Sequence, residues 1–223
     1  MNDVAAPRAI LFDWDNTLVD NWASIHNALN ATFDAYGLPR WTLAETRARL
    51  RRSFRDAAAE LFGAHWEEAG KVFYRHFHDR HLETLCHLPD AHDVVAELAG
   101  SGLYLGVVSN KTGTVLRREA EHLGWTRHFG RIVGATDAAR DKPSCEPVFM
   151  ALDGSGIAAG PEVWFVGDAG VDMECAHGTG CVPVLISTAD ANHLEFQDFP
   201  PKISLSGLGD LRTILRALLP QPL

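Results

Sequence analysis

Two aspartates stand two residues apart at the end of an apolar run, Ala9-Ile10-Leu11-Phe12-Asp13-Trp14-Asp15-Asn16-Thr17-Leu18. Side chains at i and i+2 of an extended chain project the same way, so Asp13 and Asp15 can share one site. Close carboxylates repel each other, and both stay ionised only beside a cation; otherwise one keeps a proton. Either state is chemically useful. With Mg²⁺ present, one carboxylate can be ligand and nucleophile while its neighbour carries a proton. Polar residues of matching chemistry follow later apolar runs: Ser109 and Asn110 after Tyr104 to Val108, and Asp168 with Asp172 after Val163 to Gly167, while Lys142 precedes a helical stretch. Carboxylates are the hard oxygen ligands that Mg²⁺ prefers; hydroxyls, backbone N–H groups and lysine complement phosphate oxygens. One polar strand tip is ordinary, because loops are polar. Several, with these residue types, indicate an anion site beside a metal site.

Positioning such groups requires strands that end together. The unbroken Ala9 to Phe12 run suits a parallel strand covered on both faces. From residue 20 to about 86 the pattern is helical throughout. Asp20 and Asn21 suit a helix start, and Ile25, Ala28, Leu29, Thr32, Phe33 and Tyr36 recur at helical spacing before Gly37 and Pro39. Thr42 with Glu45 forms a capping-box pattern for a helix reaching Leu50, and Ser53 with Asp56 resembles another for a helix closing at Gly63. A fourth helix, Trp66 to Leu85, carries the stripe Ala69, Phe73 and Phe77, continued by His81 or Leu82. Beyond Pro89 helices alternate with apolar runs at Tyr104–Asn110, Ile132–Gly134, Val163–Asp168 and Val182–Ile186. A stretch with few signals then precedes a last helix with Leu211, Ile214, Leu215 and Leu218. That alternation predicts an α/β fold with right-handed crossovers, a doubly wound parallel sheet with a Rossmann-like core (1–19 and 87–223), and an inserted all-helical domain (20–86).

Composition narrows the partners. A net charge of −9 argues against nucleic acid or an acidic membrane surface as the main partner and suits a metal-dependent acidic site. The 46% hydrophobic and 22% charged content is that of a globular chain, not a disordered one. With no transmembrane-length apolar segment and no signal-like N-terminus, the expected location is cytoplasmic. Cys86, Cys145, Cys175 and Cys181 show no metal or disulfide spacing and are read as free thiols.

The order Asp13-x-Asp15-x-Thr17, Ser109, Lys142, Gly167-Asp168-x-x-x-Asp172 resembles the four motifs of the haloacid dehalogenase-like hydrolase superfamily over nearly the whole chain. The helical insert is similar to the cap of its phosphoglycolate phosphatase-like branch. The resemblance implies a Mg²⁺-dependent phosphatase of small phosphorylated metabolites, phosphoglycolate-like or sugar phosphates, acting through an aspartyl phosphate. Asp13 would be the nucleophile and Asp15 the acid/base. Thr17, Ser109, Asn110 and Lys142 would surround the phosphate, Asp13, Asp15 and Asp168 would hold Mg²⁺, and Asp172 would support them. Asn16 stands where the family often has Gly, which Asn's tolerance of positive φ allows. Trp14 is expected to pack beside the site. Because the superfamily's dehalogenases lack the second carboxylate, Asp15 favours phosphate chemistry.

Two readings compete with this one. A sugar-phosphate mutase would share the aspartyl phosphate, and a non-catalytic regulatory protein would bind phosphate and metal without turnover. Arg52 and Arg55, in the densest basic run of an acidic chain, are candidates to grip a distal anionic group of the substrate, against a plain solvated helix end. His76, His78 and His81 lack the one-turn spacing of a helical metal pair and are read as a solvated face.

Overall fold

A computed structural model describes residues 4–50, 54–187 and 194–219. The chain divides into two compact units, Met1–Val19 with His87–Leu223, and Asp20–Cys86.

The larger unit is built on a six-stranded sheet in which every neighbouring pair is parallel. Its strands are β1 (Ala9–Phe12), β4 (Tyr104–Thr112), β5 (Arg131–Ala135), β6 (Val163–Gly167), β7 (Val182–Ile186) and β8 (Ile203–Leu205). Two short strands, β2 (Val19–Asp20) and β3 (Cys86–His87), form a separate two-stranded sheet. The order across the large sheet is β5-β4-β1-β6-β7-β8. The chain works outward from β1 through β4 to β5, then crosses back to β6 and continues the other way. Strand order therefore reverses at β1, and ligands of such sheets bind outside the carboxyl ends at that switch. All four residues of β1 are fully buried, which is why its sequence is uninterruptedly apolar. Phe12 pairs with Val107 on one side and Val166 on the other, so Asp13, Ser109 and Asp168 follow within two residues of that row on three neighbouring strands. Close packing explains one glycine: a Cβ on Gly106 would lie 2.7 Å from Leu11 Cδ2.

Among the described residues the helices of this unit are α5 (Ala91–Gly100), α6 (Gly113–His122), α7 (Glu146–Leu152), α8 (Gly170–Thr179) and α9 (Leu208–Leu218). They bury apolar residues at helical spacing, for instance Val94, Val95 and Leu98 in α5, Val115 and Leu116 in α6, and Leu211 and Leu215 in α9. β8 falls in the stretch that reads as a loop from sequence. Three residues, Ile-Ser-Leu, are too few for a strand signal, and pairing with β7 decides their conformation. Cys175 and Cys181 are buried, Cys86 is exposed, and all four cysteines are free thiols.

The smaller unit holds α1 (Trp22–Ala35), α2 (Leu43–Arg49), α3 (Phe54–Phe62) and α4 (Trp66–Arg80). Thr42 and Glu45 close a reciprocal capping box on α2, worth about 1 kcal/mol. The core joins Ala28, Leu29 and Phe33 to Phe54, Ala58, Phe62, Ala69 and Phe73, with the Phe54 and Phe73 rings stacked at 3.8 Å. The fourth helix is shorter than its sequence suggests, ending at Arg80 before a 3₁₀ turn at His81–Glu83. His81 corrects the reading of a solvated histidine face. It is buried, stacks on Phe77 at 5.3 Å, and places Nδ1 3.0 Å from the Phe77 carbonyl oxygen. An imidazole with a flat apolar face and a backbone partner is stable in such a core. Of the basic run, Arg47 pairs with Asp20 at 2.8 Å and Arg49 lies over the Trp41 ring. Arg52 and Ser53 lie outside the described residues, and for Arg55 the structure describes a place in α3 and not the side chain. Among the described residues no helix is long and apolar enough to cross a membrane.

Candidate active site

Beyond Phe12 the chain turns tightly. The Asp13 amide donates to Val166 O at 2.8 Å, anchoring that residue to β6, and the Leu18 and Val19 amides both donate to Trp14 O. Asn16 takes φ +59°, within the left-handed region that Asn adopts more readily than most residues. This loop puts Asp13 in the interior and Asp15 nearer the surface.

Lys142 is buried and its Nζ donates to Asp13 Oδ1 and to Asp172 Oδ1, both at 2.6 Å. Its backbone is set by Asn110, whose side chain accepts from the Lys142 amide at 2.9 Å and donates to the Lys142 carbonyl at 3.0 Å. Asn110, expected at the phosphate, thus uses both ends of its amide to place the lysine. Asp172 lies in the first turn of α8, where its Oδ2 also accepts from the Ala169 amide at 3.1 Å. One carboxylate oxygen from each of Asp13, Asp168 and Asp172 falls within 4.8 Å of the others. Ser109 is buried within β4, just past Val108, where the pairing with β5 becomes irregular. Thr17 Oγ1 is buried and has no hydrogen-bond partner among the described residues.

The charges do not balance on protein groups alone. Burial pushes the Asp13 carboxyl up to about 6, opposed by the Lys142 ammonium and aided by the Asp172 charge. Burial, then the charges of Asp13 and Asp172, pushes Asp168 up to about 8. Lys142 is raised: burial disfavours its charge, but Asp13 and Asp172 more than offset that. Three oxygen donors with one lysine between them are a donor set that fits a hard divalent cation. Asp15, expected among the metal ligands, is placed differently. Its Oδ1 accepts from Lys111 Nζ at 2.8 Å, and the third carboxylate of the cluster is Asp172.

Gly167 is the residue that lets Asp172 come so close. A Cβ there would sit 2.4 Å from the Asp172 carboxyl carbon. Gly167→Ala should therefore displace that carboxylate and cost about 1–3 kcal/mol of overpacking, a melting shift of roughly 2–10 °C. An unchanged melting temperature would show that Asp172 has room to move.

A family model for haloacid dehalogenase-like hydrolases matches residues 10–186, from β1 to the end of β7. The chain belongs to that family. Among relatives of this haloacid dehalogenase-like hydrolase, one named phosphoglycolate phosphatase from Xanthomonas campestris pv. campestris is 32% identical over 179 residues, covering 78% of this chain and 80% of the relative. Another protein of that name, from Chromobacterium violaceum, is 29% identical over 198 residues, covering 84% of this chain and 89% of the relative. The solved structure of a haloacid dehalogenase-like family hydrolase from Streptococcus pneumoniae superposes with a TM-score of 0.80 at 22% identity, covering 96% of this chain and 99% of that one.

Sequence reasoning about this haloacid dehalogenase-like hydrolase missed Lys111 and Glu119. Lys111 follows the Ser109-Asn110 pair and is almost wholly buried. Glu119, on α6, is fully buried and accepts from both Lys111 Nζ and Trp14 Nε1. Trp14 packs edge-on to Trp125 at 5.8 Å, as expected of a residue beside the site. A signal existed for the lysine alone, since a cation at a strand tip faces the same crevice as its neighbours.

Proposed function

We propose that this hydrolase cleaves small phosphomonoesters with the help of Mg²⁺, through a phosphoryl group carried on Asp13. The observation that supports it most is the triad Asp13–Lys142–Asp172 beside Asp168, which brings three carboxylates and a fixed cation into one place. Phosphoryl transfer asks mainly for positioning and charge neutralisation. Asp13, Asp168 and Asp172 would hold the ion. When bound, a divalent cation offsets the negative charge that Asp13 and a phosphate dianion bring together.

The remaining work falls to side chains. Asp13 attacks phosphorus with the oxygen that Lys142 leaves open. Lys142, Ser109 and the Thr17 hydroxyl, which has no partner among the described residues, supply donors for the phosphate oxygens. Asp15 protonates the departing alkoxide, then takes a proton from the water that releases phosphate. The helical unit is read as the cap, and the relatives' names favour a small carboxylated phosphate such as phosphoglycolate as substrate. Phosphate release from a panel of phosphoglycolate and sugar phosphates, with and without chelator, tests this reading. Chelator-insensitive hydrolysis, or none from any ester, would sink it.

Metal binding should depend on pH with a definite sign. Asp13 and Asp168 have folded values raised to about 6 and about 8, above the ordinary 3.8. Groups raised in this way bind protons more tightly when folded, so the metal-free protein loses their contribution as pH rises from about 4 through 8. Mg²⁺ competes with those protons. Its affinity should therefore be about tenfold or more tighter at pH 8 than at pH 6, measured by calorimetric titration. A flat profile would mean that these carboxylates do not take the ion.

A further inference from the structure

The two aspartates of the Asp13-x-Asp15 pair are each held by a different buried lysine, and each lysine is held by a second buried acid. Asp13 bonds Lys142, which bonds Asp172. Asp15 bonds Lys111 at 2.8 Å, and Lys111 bonds the two carboxylate oxygens of Glu119 at 2.9 and 2.7 Å. The second arrangement has the same design as the first but no assigned chemistry. It also closes on itself, because Glu119 Oε2 accepts at 2.7 Å from the indole N–H of Trp14, the residue between the two aspartates.

Burial of this ion pair needs an explanation other than stability. A buried pair is often no better than apolar residues of the same volume, since desolvation offsets its attraction. What the closed ring does provide is definition. Glu119 is fully buried and the Lys111 side chain only 8% exposed, whereas the Asp15 side chain is 34% exposed. The holder is buried, and the held carboxyl is partly exposed.

Building on the phosphatase reading, we propose that Lys111 and Glu119 are positioning residues that hold the Asp15 carboxyl where it exchanges protons with the leaving group and the attacking water. In the first step the Asp13 oxygen–phosphorus bond forms as the ester P–O bond breaks, and the leaving oxygen takes the Asp15 proton and departs as an alcohol. In the second, Asp15 takes a proton from water as that oxygen bonds phosphorus, freeing inorganic phosphate and the Asp13 carboxylate. Lys111 and Glu119 touch neither reacting atom. They act through Asp15.

Leaving-group dependence tests this. A simple alkyl phosphate needs a proton on its leaving oxygen, whereas p-nitrophenolate leaves largely without one. With Mg²⁺, single-turnover cleavage by Glu119→Gln, which keeps the shape, should fall by about 10- to 100-fold on glycerol phosphate and at least tenfold less on p-nitrophenyl phosphate. If that variant does not fold, the double variant Lys111→Met/Glu119→Gln removes both charges together and should show the same ratio. Equal losses on both esters would overturn the proposal in favour of a purely structural pair, as would no loss on either. A wild-type protein that releases phosphate from neither ester would fail the phosphatase reading itself and take the proposal with it. Wild-type turnover thus decides the reading, and the ratio in the variants decides the clamp.

Discussion

Asp13→Asn should reduce phosphate release by about 10⁴-fold or more while leaving the fold intact, because an amide of the same shape is not a nucleophile and the proposed route runs through that carboxylate. Its effect on stability should run the other way. Asp13 is one of the charges that push up Asp168, and its removal relieves repulsion while Lys142 keeps Asp172 as partner. The melting temperature at pH 8 without metal should therefore hold or rise, the usual relation between a strained site and the fold that carries it. Intact-mass spectra after incubation with substrate should show no phosphorylated species. Retained turnover would place the nucleophile elsewhere.

Lys142→Met should be the most damaging single change to the fold. It leaves Asp13 and Asp172 buried without their shared cation, and breaking a buried pair from one side costs about 3–5 kcal/mol. For a chain of this size that is a fall of roughly 6–20 °C in melting temperature. The loss should be larger at pH 8 than at pH 5.5. Without the lysine, the Asp13 carboxyl moves above the value of about 6 it has beside it, so acid neutralises the orphaned group. Adding Asp172→Asn should recover part of the stability at pH 8. A melting temperature that ignores both pH and the second substitution would show that the ion pair is not formed in solution.

The main lines of this structure are written in local pattern. Ala9 to Phe12 is apolar at every position because it is covered on both faces, and the carboxylates after it mark the end of that cover. Thr42 and Glu45 announce their helix through the capping box they form. Other features depend on partners far along the chain. Glu119 sits in Arg-Arg-Glu-Ala-Glu-His, which reads as a solvated helix face; in the fold it is buried against Lys111 and against Trp14, far back in sequence. Asn110 has the right type and place for an anion ligand, and the backbone of Lys142 claims it instead. His81 carries both signals: its four-residue spacing from Phe77 continues the buried stripe, while its polar type reads as solvated, and stacking on Phe77 decides between them.

The position of β1 has a consequence for how the protein acquires its activity. The strand pairs Ala9 with Tyr104 on one edge and with Val163 on the other, so its two neighbours arrive from distant parts of the chain. Closing such long loops is entropically costly, and parallel pairing of this kind folds slowly. During synthesis Asp13 emerges well before β6 and has nowhere to dock until β6 has been made. Catalytic competence should thus be among the last properties to appear on refolding, trailing the recovery of helical signal from locally stabilised segments such as the capped α2.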